Sequence, residues 1–540
     1  EEKASVAYGL QYFKTMYYEW HNNSDIYFRD RKLRYSRNRS YAEGNQDVGK
    51  YKDLLSSGGD TSYLNIDWSP VSIIPKFVDV IVNGMVNQEY DVKAESIDPV
   101  AANKRLEKKK QMLGDMLSKD FLENLEDETG IPLAPNGFVA QSSEEVDMFM
   151  ALNYKQNVEI ALEKAIEYTL NINDYDQVKR YMIRDLVVLG LCAAKTDLSP
   201  TSGLSIRYVD PSNLITSFSA SSDFKNMKHA GEVYSMTIAD LKQQSGGEFS
   251  EEDYIKIANE YAGKNNNPMY FNTSSNYENG DNTYDYDKFS INILDAEFIT
   301  SHELKYEKKD NKKGGYSVNK KPSNYKQPKN SKTNRKAIGS TVKVVYTGKY
   351  IVGSDYVFNY GLMKDMPRTK SNLSETRLSY IVYQPNLYKM KSRSLVDRMV
   401  PFADQIQLAH LKIQHTLAKA RPKGAAFEVG SLENVSKGDG GTFTPMELQE
   451  IYDQTGNIYY RRIDDEGQMT GAMPIQELEN GIGRDFGTLI GVYNHNMQMI
   501  RDVTGINEAR DASKPSSEAL VGVQKLSLLA SNNATRDIND

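Results

Sequence analysis

A chain of 540 residues with one cysteine, Cys192, cannot form an internal disulfide or a cysteine-clustered zinc centre. Nothing in it asks for an oxidising compartment, so assembly inside a cell is expected. Long apolar runs are also lacking. The longest, LVVLGLCAA from Leu186 to Ala194, falls far short of the roughly 20 residues that cross a bilayer, and no membrane partner is expected. Neither an initiator methionine nor a signal peptide opens the chain, and it closes at Asp540 inside a helix-like run, which reads as a segment of a longer protein.

The short motifs that carry chemistry are missing as well. There is no Walker loop, HExxH, CxxC pair or complete EF-hand loop. Gly481 and Gly483 form a GxG, but the third glycine is misplaced and no strand precedes it. Asp281, Asp285 and Asp287 have a spacing that could touch a cation, yet the turn glycine and bidentate glutamate of a calcium loop are absent, which leaves a plain polar loop as the other reading. His410 and His415 lie five apart and do not share a helix face, so both are expected on a helix surface. No cofactor, metal or catalytic residue is expected, and scattered Ser, His and Asp are not ordered into a triad. A peripheral enzyme of unfamiliar type stays as a remote alternative.

What the chain has is a segregated charge. From Tyr306 to Lys336 it reads YEKKDNKKGGYSVNKKPSNYKQPKNSKTNRK. With Lys305 included, this tract holds twelve Lys or Arg against Glu307 and Asp310, an excess of ten, while the whole chain carries −7 and the remainder therefore −17. Such separation points to a polyanionic or acidic partner, with a solvated loop as the other reading. Alternating residues precede it (Phe298 to Tyr306) and follow it (Val342, Val344, Tyr346, Tyr350, Val352), which makes it an insertion in a β-rich module. The docking candidates are Lys308, Lys309, Lys312, Lys313, Lys320, Lys321, Lys326, Lys329, Lys332, Arg335 and Lys336.

At this length roughly three to four domains are expected. Residues 1–55 are rich in Tyr, Asn and Arg and carry the cluster Arg29, Arg31, Lys32, Arg34, Arg37 and Arg39, on an exposed arm or helix. A packed helix follows Ser69-Pro70 over Val71 to Val86 and leads into a strand near Asp91 to Ala94; a charged helix spans about Val100 to Leu125. Ser142 and Glu145 have capping-box spacing before one long amphipathic run ending near Asn171. Gln177 to Leu189 repeats the helical pattern, with Gly190 placed for a left-handed cap. Leu191 to Thr196 and Leu204 to Val209 resemble paired strands. Ser250 to Asp253 opens another helix, Lys264 to Asp287 is an Asn/Tyr-rich loop, and strand character resumes at Phe289, Ile291 and Ile293.

Two later seams are the longest patterns. Leu395, Met399, Phe402, Ile406, Ala409, Ile413 and Leu417 alternate steps of four and three, as between neighbouring long helices. Pro401 is expected to kink or divide that helix. The second seam uses Ile475, Leu478, Ile482, Phe486, Leu489, Tyr493, Met497 and Ile500, with Gly483, Gly487 and Gly491 at every fourth position. A glycine costs about 1 kcal/mol relative to alanine inside a helix, which implies close backbone packing or bending, unless the glycines are simply tolerated in a core helix.

This order of elements resembles the portal (connector) proteins of tailed double-stranded DNA phages, of the podovirus and crAss-like type. The resemblance covers most of the chain and rests on VSIIPKFVDVIVNGMVNQEYDVKA, on YMIRDLVVLGLCAAKTDL followed by IRYVDPSNLI, on DAEFIT through KVVYTGKYIVG, and on three helical stretches: SRSLVDRMVPFADQIQLAHLKIQHTLAKARPKGAAFEV, PIQELENGIGRDFGTLIGVYNHNMQMIRDVTGINEA and SSEALVGVQKLSLLAS. It implies an α+β portal fold. In that fold 1–60 is an N-terminal basic and aromatic arm, 61–287 a first part of the wing, and 288–385 a clip region with its lysine-rich insertion at 305–336. Residues 386–421 become a stem helix, 422–512 the second part of the wing with tunnel loop and channel helix, and 513–540 the start of a crown or barrel.

The resemblance further implies a homo-oligomeric ring, commonly of twelve copies, at one capsid vertex of a virion assembled in the host cytoplasm. Major capsid protein would surround it, double-stranded DNA would pass through it, and terminase and then head-tail adaptor or tail proteins would dock on it. A nucleic-acid-binding scaffold that uses the basic tract directly is the alternative. Pro401 and the strongly basic insertion depart from the family pattern.

Overall fold

In the computed structural model the described residues are 2–21, 26–55, 66–87, 91–96, 98–129, 139–199, 203–262, 290–310, 315–322, 325–326, 335–368, 372–385, 387, 390–391, 393–418, 424–427, 435–438, 440–455, 475–478, 482–506, 529, 531, 533 and 535–539. Helix and strand are mixed, 52% and 22%, and all named strand pairs are antiparallel. The chain divides into two compact units, Glu1–Tyr35 with Ile81–Ser394 and Asp537–Asp540, and Ser36–Val80 with Leu395–Arg536.

In the first unit the main sheet contains β3 (Leu214–Thr216), β4 (His229–Thr237), β5 (Ser290–Asp310), β6 (Tyr316–Lys321), β7 (Arg335–Ile351) and β8 (Val357–Leu362). Their order is β3-β4-β5-β7-β8, with β6 added to β5. β5 is the spine. Along one edge it pairs with β4 and further out with β6; along the other it pairs with β7 from Ile293↔Ile351 to Lys309↔Arg335. At a rise of about 3.3 Å per residue, a strand of this length extends roughly 70 Å.

Alternation along β5 assigns its two faces. Leu294, Ala296 and Phe298 pack under α1 (Val6–His21), where Phe13 and Trp20 are fully buried, joined by Phe28 of α2 (Ile26–Glu43). The start of the chain is therefore helical and packed on the sheet, not an exposed arm, because its aromatic residues fall at helical spacing on one side. A Cβ at Gly9 would collide with the Tyr360 ring, so bare backbone is what lets α1 approach this closely.

On the opposite face, Ile291 and Ile293 pack under α9 (Ile238–Ser245) and α10 (Glu251–Ala262) with Leu241, Ile257 and Phe358. α10 starts where expected, since Ser250 Oγ accepts from Asp253 N at 3.3 Å. A second sheet lies against this face, ordered β2-β1-β9, from β1 (Cys192–Ser199), β2 (Gly203–Val209) and β9 (Tyr380–Tyr383). The β1–β2 pairing is the expected one. β9 was not foreseen, because four residues leave little periodicity to read. The loop at 264–287, with Asp281, Asp285 and Asp287, lies outside the described residues.

The helical part of this unit corrects two expectations. No strand forms near Asp91 to Ala94; that segment has a helix and not a strand for a neighbour. Ala94 N donates to Glu163 at 3.0 Å and Ser96 N to Glu159 at 2.9 Å. The long amphipathic run from Ser142 is two helices, α6 (Ser143–Leu152) and α7 (Asn157–Ile172), following α5 (Pro99–Thr129). Ser142 Oγ accepts from Glu145 N at 3.2 Å to start α6, and Gln156 N donates to Glu159 at 2.8 Å to start α7. The continuous apolar periodicity concealed that second cap. α8 (Tyr175–Val188) ends at Gly190, φ 77°, the left-handed cap foreseen there.

In the second unit α11 (Leu395–Ala418) runs unbroken through Pro401, whose ring faces solvent. The proline therefore does not divide this helix. Leu395, Met399, Ile406 and Ala409 are buried, Phe402 and Ile413 are half-buried, and Leu417 is 51% exposed, so the seam fades toward its end. α11 packs along α13 (Ile482–Thr504), bringing the two sequence seams together. Asp397 accepts from Arg37 at 2.8 Å and Asn38 at 3.0 Å, and Asp404 from Lys50 and Tyr51 at 2.8 Å each. The helical seam does not begin at Ile475. Ile475–Leu478 is strand β11, paired with β10 (Gly424–Phe427) from Phe427↔Ile475 to Gly424↔Leu478, and a strand partner overrides a four-residue helical pattern. Short helices α3 (Lys52–Leu55), α4 (Ile74–Val86), α12 (Pro445–Thr455) and α14 (Arg536–Asn539) complete the set among the described residues.

Candidate docking surface on the long hairpin

The lysine tract is not a free insertion between strands. Its ends are the outer rungs of β5 and β7, with Lys308 opposite Lys336 and Lys309 opposite Arg335, and its middle supplies β6. Backbone register alone places Arg335 and Lys336. Lys312, Lys313, Lys329 and Lys332 lie outside the described residues, and Lys326 is exposed.

Residues opposite one another in an antiparallel rung share a face. One face of the tip carries Lys305, Glu307 and Lys309 of β5 with Lys321 and Ser317 of β6; the other carries Tyr306 and Lys308 with Lys320 and Val318. Lys305 and Lys321 stand directly opposite, a like-charge pair that costs stability unless compensated. Glu307 compensates: 3% exposed, it takes Lys321 Nζ at 3.1 Å and the Tyr325 hydroxyl at 2.7 Å. The second face is more open. Lys308 Nζ sits 4.0 Å from the Tyr316 ring centroid, while Tyr316, Val318 and Ile338 are 64%, 50% and 41% exposed. Cations beside exposed aromatic and aliphatic groups can bind acidic surfaces, phosphates or stacked rings.

The root of the same strand is held by buried charge. Asp295 and Glu297, on the face turned to the second sheet, are 3% and 2% exposed. Lys195 Nζ of β1 lies 2.6 Å from Asp295 and 3.9 Å from Glu297; Arg207 of β2 pairs with Glu232 and lies 3.6 Å from Asp295. Ser379 N donates to Glu297 at 2.9 Å, and the Tyr380 hydroxyl donates to the Asp295 carbonyl at 2.8 Å. Burial works against the charged forms, but Lys195 holds Asp295 below the usual carboxylate range, and Asp295 with Glu297 keeps Lys195 above its ordinary value. For Glu297 burial prevails and its pKa rises. The layer ties β1, β2 and β9 to β5. Sequence reading missed it, although two acids at i and i+2 in a strand with buried isoleucines at 291 and 293 were a usable signal.

The N-terminal basic cluster is largely committed to structure. Arg31, 3% exposed, donates to the carbonyls of Pro211 and Leu214 and sits among Tyr27, Phe28 and Tyr35. Lys32 lies 3.6 Å from the Trp20 ring centroid, and burial, then Arg31, push its pKa down to about 8. Arg34 stacks over Tyr35, Arg37 pairs with Asp397, Arg39 is half-buried, and Arg29 is exposed beside Asp30.

On α13, Phe486 and Tyr493 are half-buried and Ile500 is fully buried. The expected close packing at the glycines is not found among the described residues: a Cβ at Gly487 or Gly491 would meet none of their atoms within 4 Å. The helix turns those positions outward while its apolar side packs on α11. The side-chain environment at Gly483 lies outside the described residues. His410 and His415 are half-buried on α11, and His410 hydrogen-bonds Gln414 at 3.0 Å.

An open groove of about 390 Å3 follows α1, lined by Tyr8, Gln11, Tyr12, Thr15, Met16, Glu19 and His229. The Tyr12 hydroxyl lies 3.1 Å from His229 Nδ1; burial drives His229 down to about 4 and Tyr12 up to about 12, so both are neutral at pH 7. Among the described residues no cluster of three or more His, Cys, Asp or Glu is placed to hold a metal, and no helix is long and apolar enough to cross a membrane. No protein-family model matches the chain, and no curated protein matches it.

Proposed function

We propose that this chain is the subunit of a ring with an axial channel, a portal of the tailed double-stranded DNA phage type. It would stand at one capsid vertex among major capsid protein and serve DNA packaging and ejection. The observation that carries the reading is the β5–β7 hairpin, a long arm rooted by a buried ion layer and tipped with lysines on an otherwise acidic chain. Repeated around a ring, such tips add up to a belt of positive charge suited to an acidic docking partner, the terminase motor and afterwards a head-tail adaptor. An acidic body suits a channel that must let DNA slide, because few phosphate contacts means weak holding.

In this reading 61–287 and 422–512 are the wing, 288–385 the clip, 386–421 the stem helix, and 513–540 the start of the crown. The packing of α11 along α13 supplies a paired helical wall of the kind a stem and channel need. Sedimentation velocity tests the proposal: one closed species of about twelve copies of the 61.1 kDa chain is expected. A species that stays monomeric at every concentration contradicts it.

The exposed Tyr316 beside Lys308 favours a second reading, a nucleic-acid-binding scaffold, since aromatic and cationic groups together bind single strands. Monomers that bind DNA with a steep salt dependence would support that one.

A further inference from the structure

The long arm ends in an edge strand. β6 pairs with β5 along one side, and along its other side no strand runs among the described residues. Successive residues of a strand turn their N–H and C=O groups to alternate sides, so one fixed point sets the direction of all the others. β7 supplies that point: Lys343 N donates to the Ser374 carbonyl and Met363 N to the Val345 carbonyl, each at 2.9 Å and on the side away from β5. The odd-numbered residues in this part of β7 therefore turn outward, and the even-numbered ones bond to β5. The register carries this across the spine. Lys305, Glu307 and Lys309 stand opposite Gly339, Ala337 and Arg335, so their backbone groups turn toward β6, where they meet Lys321, Asn319 and Ser317. Tyr316, Val318 and Lys320 are left with N–H and C=O groups aimed off the sheet.

An unpaired edge is a template for another strand, and the side chains along it select which one. The side chains of Tyr316, Val318 and Lys320 lie on the open face with Lys308, and neither lysine has a carboxylate partner among the described residues. Residues 303–310, 316–321 and 335–342 together hold seven Lys or Arg against Glu303, Glu307 and Asp310, a net +4, and Glu307 is already taken up by Lys321. A second copy of the tip would bring the same excess, and lysines on an edge oppose that pairing. The outer edge of β7 suits an acidic strand less well: Gly339 and Thr341 turn outward there, with no cation between Lys336 and Lys343.

We infer that β6 takes an added strand, an extended acidic segment of a partner protein. Its backbone bonds to Tyr316, Val318 and Lys320, and its carboxylates lie on the face of Lys308 and Lys320. Backbone bonds supply the affinity of such a contact, and the alternation of side chains fixes its register. The inference rests on the reading of the tip as a docking surface and does not need the ring.

The probe is a fluorescein-labelled octapeptide of alternating Glu and Val, titrated into the full chain and followed by anisotropy. Saturable binding is expected. Val318→Pro removes one outward N–H and no charge, at a position where an edge strand accommodates proline, and is expected to weaken binding at least about tenfold with an unchanged circular dichroism spectrum. Lys308→Ser combined with Lys320→Ser is expected to weaken it as well. Only every second amide of an added strand faces the edge, so N-methylating one alternate row of the peptide's amides is expected to abolish binding and N-methylating the other to spare it. That comparison uses the wild-type chain and so does not depend on how the proline variant folds. Absence of binding, equal affinity of a folded Val318→Pro chain, or equal behaviour of the two N-methylated rows would overturn the inference. Sensitivity to the lysines alone would overturn it too, while sparing a docking tip that works by charge. Light scattering on the same samples reports the copy number, so a monomer that binds the peptide in the expected way upholds the inference while defeating the ring, and a ring that ignores the peptide does the reverse.

Discussion

Lys195 on β1 and Asp295 on β5 meet at 2.6 Å with each residue 3% exposed, so the ammonium and the carboxylate compensate each other in place of water, with Glu297 and Arg207 as their further charged neighbours. Removing one partner of a buried pair leaves an uncompensated charge. Lys195→Met should therefore cost about 3–5 kcal/mol in urea unfolding of the intact chain. A loss within 0.5 kcal/mol would show that the layer does not anchor the hairpin.

Tyr12 and His229 give stability an acid limit. Burial depresses the His229 pKa to about 4, below its ordinary value near 6.5, so the folded state resists protonation there. The stability from neutral His229 is present above the ordinary value and is lost as pH falls toward 4. Melting temperature should drop over that interval, and His229→Gln should flatten the drop. An equally steep drop in the variant would place the acid sensitivity elsewhere.

Adjacent lysines at the tip should behave differently. Lys321 neutralises buried Glu307, so Lys321→Ala should cost about 1–3 kcal/mol, while exposed Lys320→Ala should change stability by less than about 0.5 kcal/mol. Equal effects would mean the Glu307 contact is idle. For docking, Lys308, Lys309, Lys312, Lys313 and Lys320 changed together to Ser should weaken partner binding in a pull-down and spare assembly.

On α13 a methyl group at Gly487 or Gly491 has open space. Gly487→Ala should therefore stabilise the isolated chain by about 1 kcal/mol through helix propensity. If the glycines face a neighbouring copy, Gly487→Leu and Gly491→Leu should leave the isolated chain folded and impair assembly. Loss of fold in the isolated chain would point to packing within it.

Much of the fold could be read from periodicity and caps. The helix ending at Gly190, the β1–β2 pair, the start at Ser250, the first long seam and the second from Ile482 onward follow from local patterns whose physics is local. Where a partner remote in sequence decides the outcome, reading failed. The segment 91–96 is tied down by Glu159 and Glu163, β9 exists because β1 offers an edge, and β11 because β10 does. The candidate surface was half legible. Charge counting found the lysines, but only the register of β5, β6 and β7 shows that one face is neutralised by Glu307 and the other carries Lys308 and Lys320 beside exposed apolar groups.

Negative-stain electron microscopy of the purified chain decides whether it closes into a ring. Rings with a central hole and a uniform copy number are expected. A field of single particles without a hole, at concentrations where other ring proteins assemble, would contradict the ring.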